Sequence, residues 1–225
     1  MTEIYLKNKT WNTKIVGEFL KELGKPENAY TNEEKCCYIK NAAKELLNRG
    51  GNVNISSAEN ILIYATQHYF NGTESQAKAD IYYILGEIFE KYNENFVRAY
   101  TYYEKYTLNN KANSGTHSLM LKALILRDDF TYSDELEKKF RMSLAEADLG
   151  TKNDRIYENL GRYIVLRNEG NEEECNKVMK RLWGIIKTDE LIIPDLVIKK
   201  SLDDRATVPQ KVKDFIKEAQ AKIEL

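Results

Sequence analysis

The sequence contains few of the residues that break helices or build metal and nucleophile sites. Its 225 residues include 3 prolines, 11 glycines, 3 cysteines and 2 histidines. Proline and glycine interrupt helices most strongly, so their scarcity beside a charged fraction of 31% favours helices with solvated outer faces. No strand-like alternation, Gly-rich linker or low-complexity tract occurs, which predicts an all-α chain without an internal domain boundary.

A strong net charge and a long apolar run are both missing. The formal net charge of −1 provides no global basic surface for nucleic acid or for an anionic membrane. No run of 18 apolar residues occurs, and residues 1–14 contain no apolar segment of the signal-peptide kind. We therefore expect neither a membrane span nor export, and we expect a cytoplasmic location.

The cysteines and the sequence motifs give no indication of a disulfide, a metal site or a catalytic site. Cys36, Cys37 and Cys175 form an odd set without a C-x-x-C spacing. Adjacent cysteines on a helix point about 100° apart, which disfavours a mutual disulfide or a shared metal. No Walker loop, H-E-x-x-H, G-x-G-x-x-G or G-x-S-x-G motif is present. These absences predict free thiols, no metal, no cofactor and no catalytic residue.

Two further groups of chemical interest have simple structural interpretations. His68 lies within an apolar helical run, which is typical of a packed or half-exposed ring rather than a catalyst. Three consecutive acids, 172–174, follow Asn171 at the expected start of a helix. Acidic side chains are favourable there because the helix N-terminus carries partial positive charge.

Short motifs predict the helix boundaries in the first third of the chain. An apolar stripe after Thr10 predicts a first helix that ends at Gly24 and Pro26. Three sequences have the form of a capping box, in which a hydroxyl and a carboxylate or amide satisfy each other's backbone donors. They are Thr31-x-x-Glu34, Ser56-x-x-Glu59 and Thr73-x-x-Gln76. The helix that starts at Thr31 is expected to end at Gly50-Gly51, and the helix that starts at Ser56 is expected to end at Asn71-Gly72.

Residues 79–109 carry the clearest pattern, that of a helical hairpin. The first apolar stripe has helical spacing and comprises Tyr82, Leu85, Gly86 and Phe89. After a polar break, Asn95 is predicted to cap a second helix. Its stripe comprises Phe96, Ala99, Tyr103 and Tyr106. Of the crowded tyrosines at 100, 102, 103 and 106, only two or three can face inward.

This hairpin resembles the tetratricopeptide repeat, a helix-turn-helix unit of about 34 residues. The match runs through Tyr82, Leu85-Gly86, Phe89, Ala99, Tyr102-Tyr103 and Glu104-Lys105. A second copy follows 75 residues later, with Leu160-Gly161, Ile164, Gly170, Cys175, Val178-Met179 and Leu182. That separation is close to two periods, and residues 117–147, with Ala123 in the small position, fit as the unit between them. The resemblance covers roughly residues 76–187.

The resemblance implies a TPR-like α-solenoid, an all-α right-handed superhelix of stacked antiparallel helix pairs, with about eleven helices. Residues 1–225 would form one domain with N-terminal helices at 10–72, repeats at 73–187 and capping helices at 188–225. An irregular helical bundle is the alternative fold, because any amphipathic hairpin places small residues where helices approach closely.

In tetratricopeptide domains the first helix of each unit lines a concave groove. The resemblance places Asp80, Tyr83, Glu87 and Glu90 there in the first unit. The middle unit contributes His117, Met120, Leu124 and Arg127, and the later unit Arg155, Glu158, Arg162 and Val165. This mixed lining implies a non-catalytic scaffold for a protein or peptide segment that carries both signs of charge. It lacks the Lys/Asn clamp that some members use for a C-terminal carboxylate, so a chaperone-tail role is disfavoured.

Three other functions remain open at this point. A regulatory or catalytic helical bundle would place His68 or His117 and a cysteine near an internal pocket. A subunit of a larger complex would use exposed members of the 15 tyrosines as its contact surface. Aromatic rings beside basic residues can stack single-stranded bases, but the absence of a basic stripe disfavours nucleic acid as a partner.

Overall fold

A computed structural model describes residues 5, 7, 10–71, 75–109, 115–126, 138, 159, 161–163, 165–166 and 169–187. These residues form helices and connecting turns, with no strand among them, and the predicted all-α class is confirmed. Their α-helices are α1 (Thr13–Leu23), α2 (Asn32–Arg49), α3 (Asn52–His68), α4 (Gln76–Lys91), α5 (Phe96–Asn109), α6 (Gly115–Leu126) and α7 (Glu172–Lys187). A short 3₁₀ turn, Pro26–Asn28, follows α1.

The chain divides into two compact units. The first comprises Met1–Glu94 and Glu104–Lys111, and the second comprises Asn95–Tyr103 and Ala112–Leu225. Helix α5 therefore contributes its beginning to the second unit and its last turns to the first. The predicted helices of residues 188–225 lie outside the described residues.

In the first unit, α2, α3 and α4 pack against one another and α1 packs against α3. Helix α4 is buried on most of its sides. Its buried apolar residues are Ala77, Ala79, Ile81, Ile84, Leu85, Ile88 and Phe89. A helix that is apolar around most of its circumference belongs in the middle of a packed structure. The core is completed by residues that include Phe19, Ile39, Leu46, Ile61 and Leu62.

Several predicted helix caps are confirmed. Thr31 Oγ1 accepts the Glu34 N–H at 3.2 Å, and the Glu34 carboxylate accepts the Thr31 N–H at 2.8 Å, so the capping box of α2 is complete. Asn95 accepts the Arg98 N–H at 3.1 Å at the start of α5. Asn171 accepts the Glu174 N–H at 3.2 Å, which places the three acids in the first turn of α7.

The predicted start of α3 at Ser56 is wrong. Helix α3 begins at Asn52, directly after Gly50 and Gly51, whose φ angles are 68° and 80°. Only glycine adopts such angles at little cost, so two glycines are enough to end α2 and start α3. Ser56 lies one turn inside the helix with an exposed side chain. The same helix ends at His68, three residues before the predicted Asn71.

Two other predicted starts differ from the structure. Helix α1 is capped by Asn12, whose side chain accepts the Ile15 N–H at 3.1 Å, rather than starting from Thr10. Helix α4 is capped by Ser75, which accepts the Lys78 N–H at 3.3 Å, while Thr73 lies outside the described residues. In both cases a second capping residue lies closer to the first helical turn.

The segment before α1 is fastened to α3 through buried polar groups. The Trp11 N–H donates to Asn54 Oδ1 at 3.0 Å, and the Trp11 carbonyl accepts from Ser57 Oγ at 2.7 Å. The Trp11 ring is fully buried and packs edge-on against Phe19, with centroids 5.0 Å apart. Asn54 and Ser57 are both buried. Their hydrogen bonds to the main chain offset the cost of removing these polar groups from water.

In the second unit, burial follows the predicted apolar stripes. Phe96, Ala99 and Tyr103 of α5 are buried, and Tyr100 is buried beside them. Tyr106, which belongs to the first unit, is also buried. Three of the four crowded tyrosines are therefore buried, which agrees with the expected two or three. Gly161 and Cys175, which occupy small positions of the repeat pattern, are both buried.

Candidate binding surface on the fourth helix

One stripe of the mostly buried helix α4 remains open. Asp80, Tyr83 and Glu87 are half-buried, and Gln76 before them is exposed. The spacing of these four residues, four, three and four positions, places them along one side of the helix. We call this stripe the α4 face. It contains three of the residues that the repeat resemblance assigned to the first unit of the groove.

Asp80 links α4 to α2. Its Oδ2 lies 3.1 Å from Lys40 Nζ, and its Oδ1 accepts a hydrogen bond from Gln76 Nε2 at 2.8 Å. The two charged side chains of this ion pair are 25% and 18% exposed, so solvent still reaches both. The carboxylate therefore lies at the border between the α2–α4 contact and the open surface.

Tyr83 provides the aromatic part of the α4 face. Its ring meets Tyr106 of α5 edge-on, with centroids 5.3 Å apart and an interplanar angle of 60°. Burial raises the pKa of Tyr83, and the neighbouring Glu87 charge acts in the same direction. The hydroxyl consequently stays protonated at neutral pH.

Glu87 forms an ion pair with Lys91 one turn further along α4. Burial lowers the pKa of Lys91, but the hydrogen bond and charge of Glu87 outweigh this effect and the pKa is raised. Lys91 therefore stays charged at neutral pH. Glu90, the fourth groove residue predicted in this unit, is only 4% exposed and presents almost no surface to solvent.

The remaining predicted groove residues belong to the second unit. His117 lies in α6, where Met120 is 5% exposed and Leu124 is fully buried. Arg162 is exposed and Val165 is buried. Arg127, Arg155 and Glu158 lie outside the described residues. Among the predicted groove residues of this unit whose side chains the structure describes, Arg162 is the exposed one.

Four residues of or beside the α4 face were not recognised from the sequence as site residues, namely Gln76, Lys91, Lys40 and Tyr106. The pairs Gln76–Asp80 and Glu87–Lys91 have the spacing of helix neighbours, so the sequence could have indicated them. Lys40 is different, because it comes from another helix 40 positions away. No local pattern indicates that contact.

Of the residues considered for catalysis, the structure describes the surroundings of Cys36 and His68. Burial raises the pKa of the Cys36 thiol to about 11, so it is neutral at physiological pH. His68 is exposed and its ring lies against Tyr64, with centroids 4.1 Å apart. The three cysteines are not paired in disulfides. Across the described ranges, no three His, Cys, Asp or Glu side chains gather as metal ligands.

Comparison with protein-family models, with curated proteins and with solved structures found no match to this chain. Within the described helices, none has the length and apolar character needed to cross a bilayer.

Proposed function

We propose that this chain is a non-catalytic, TPR-like scaffold that binds a segment of a partner protein on the α4 face. One observation carries the proposal: a helix buried on most of its sides keeps Asp80, Tyr83 and Glu87 half-exposed on a single stripe. A partly solvent-exposed stripe of mixed charged and aromatic residues suits a recognition surface, because such groups supply specificity at protein interfaces.

The packing of α4 supports the repeat part of the proposal. Helix α4 contacts both members of the preceding α2–α3 pair. Contact of each hairpin with the first helix of the next one is how helical repeats bury their apolar faces. We propose that this stacking continues along the chain as a right-handed superhelix of helix pairs, with the predicted groove on the side of the first helices.

Each carboxylate of the α4 face has a lysine beside it, and the presence of both signs of charge supports a partner segment that also carries both signs. Asp80 and Glu87 are seven residues apart, about 10 Å along the helix, and each is paired with a lysine. Partly exposed ion pairs contribute only about 0–1 kcal/mol to stability. A basic side chain of the partner can therefore replace the lysine beside Asp80 or Glu87 at little cost. Between them, the Tyr83 ring offers an apolar contact with a polar tip.

Selection of peptides from a random display library against the full chain tests this proposal. Calorimetry would then compare the affinity of the selected peptides for the wild type and for Glu87→Lys. We expect about a tenfold loss, because a favourable charge on the α4 face becomes a repulsive one. Arg162→Glu extends the test to the second unit, where a loss would support the continued groove.

Glu45→Lys is the matched control. Glu45 pairs with Arg49 on α2 at the same four-residue spacing as Glu87 with Lys91, but it lies outside the α4 face. The melting temperatures of both variants should stay within a few degrees of the wild type. Equal affinity of wild type and Glu87→Lys, or equal losses in both variants, would contradict the assignment of the α4 face.

A further inference from the structure

A groove between the start of α1 and the first half of α3 is separate from the α4 face. Its volume is about 310 Å³, near the lower end of the range for ligand-binding clefts. All eight residues that line it are uncharged. They include Asn12 and Thr13 on one side and Asn52, Val53, Ser56 and Asn60 on the other. We call it the α1–α3 groove.

Helix α3 already binds an extended piece of main chain beside this groove. Asn54 and Ser57 hold the N–H and the carbonyl of Trp11 at 3.0 and 2.7 Å. Asn54 also donates from Nδ2 to the Gly50 carbonyl at 3.0 Å, so both ends of its amide are used. The amide and hydroxyl side chains of α3 thus recognise a peptide backbone without any charged group.

The same chemistry recurs in the groove, on a different side of α3. Asn52, Ser56 and Asn60 follow one another at four-residue intervals and therefore form one exposed row. Like a peptide unit, each carboxamide can both donate and accept hydrogen bonds. Across the groove, Asn12 uses its side-chain oxygen to cap α1, which leaves its N–H₂ group to donate.

The size of this row limits its occupant. The eight helical steps from Asn52 to Asn60 span about 12 Å, a length that about four residues of extended chain match. Val53 is 51% exposed in the groove and can contact a small apolar side chain. A charged side chain would find no opposite charge among the lining residues.

We propose that the α1–α3 groove is a second binding site, which takes an extended, uncharged peptide segment of a partner by its main chain. Asn52, Ser56 and Asn60 bind the peptide units, as Asn54 and Ser57 bind Trp11. The volume, the neutral polar lining and the adjacent main-chain interaction together define this occupant.

The test uses capped random pentapeptides, selected against the full chain and ranked by affinity for the wild type and for Asn60→Ala. We expect the peptides that shift the amide NMR signals of Asn52, Ser56 and Asn60 to be neutral and to bind Asn60→Ala about fivefold more weakly than the wild type. Asn41→Ala is the matched control, an exposed asparagine on α2, and should bind as the wild type does. Both changes place alanine in an exposed helix position, where it favours the helix.

A depsipeptide tests main-chain recognition directly. Replacing one amide of a selected peptide with an ester removes an N–H donor without changing any side chain, and we expect about fivefold weaker binding. Failure to enrich any peptide whose binding Asn60→Ala weakens, charged sequences among the peptides whose binding Asn60→Ala weakens, or equal binding of amide and ester would overturn the proposal. The proposed function of the α4 face is unaffected by each of these results, because Glu87 lies outside the groove.

Discussion

Polar side chains of α3 determine where the N-terminal segment attaches. Asn54 and Ser57 are buried, and their hydrogen bonds to the Trp11 main chain bring that ring into the core beside Phe19. Removing one partner of a buried hydrogen bond leaves the other unsatisfied, which costs more than the bond itself contributes. These residues consequently fix the position of the chain as well as stabilise it.

Cys36 makes the stability of the fold sensitive to alkaline pH. Its pKa is about 11 in the folded chain, mainly because it is buried, against an ordinary value of 9.0. Between these values the unfolded thiol loses its proton while the folded one keeps it. The unfolded state then binds fewer protons, so the free energy of unfolding falls as the pH rises, by about 2–3 kcal/mol for this group.

Urea denaturation from below pH 9 to pH 11 measures this effect. Cys36→Ala should lose less stability over the range than the wild type, whereas Cys37→Ala, at the half-buried neighbouring position, should follow the wild type. If the free energy of unfolding falls equally with pH in the wild type and in Cys36→Ala, burial of this thiol does not cause the loss of stability at alkaline pH.

The Lys40–Asp80 ion pair should couple α2 to α4. A double-mutant cycle with Lys40→Ala and Asp80→Ala is expected to give a coupling energy of about 1 kcal/mol, at the upper end for partly exposed pairs, because both side chains are more than half buried. The Glu45–Arg49 pair within α2 serves as the comparison, and its expected coupling energy is about 0.3–0.5 kcal/mol. Chemical denaturation gives both values. A Lys40–Asp80 coupling no larger than the comparison would mean that the pair does not hold the helices together.

At the scale of single helices, two sequences of the same form have different roles. Thr31-x-x-Glu34 forms a complete capping box, whereas Ser56-x-x-Glu59 lies inside α3. Thr31→Ala should lower the free energy of unfolding by about 1 kcal/mol. Ser56→Ala should leave it unchanged or raise it slightly, because alanine has the higher helix propensity. Equal losses in the two variants, measured by urea denaturation, would place a cap at Ser56 after all.

The two capping sequences also show what local patterns can predict. Helix caps at Thr31 and Asn95 and the break at Gly50-Gly51 depend on neighbouring residues alone, so the sequence predicts them correctly. The start of α3 depends on two glycines with positive φ, which let the helix begin at once. A hydroxyl three positions before a glutamate does not distinguish a cap from the interior of a helix.

At the scale of the molecule, helical stripes were predictable and contacts between helices were not. The repeat resemblance assigned residues 80, 83 and 87 to one face of α4, and the structure leaves that stripe half-open. Periodicity cannot tell how much of a side chain neighbouring helices will cover, and Glu90, Met120 and Leu124 are buried. Lys40 next to Asp80 is likewise a result of packing between distant parts of the chain.

The repeat resemblance depends on small residues at positions where a larger side chain would be out of place. Gly86 and Gly161 are both buried, as is Cys175, which is consistent with close helix approach at each. Small residues alone do not define a groove, since an irregular bundle also requires them. The α4 face is therefore where the proposed function is best tested.

Site-specific photo-crosslinking of a selected peptide tests the central claim most directly. A photoreactive amino acid would replace Glu87 in one variant and Glu45 in another, and the crosslinked fraction would be measured by mass spectrometry. Binding on the α4 face predicts crosslinking from position 87 and little from position 45. Equal crosslinking from both positions, or crosslinking from position 45 alone, would contradict it.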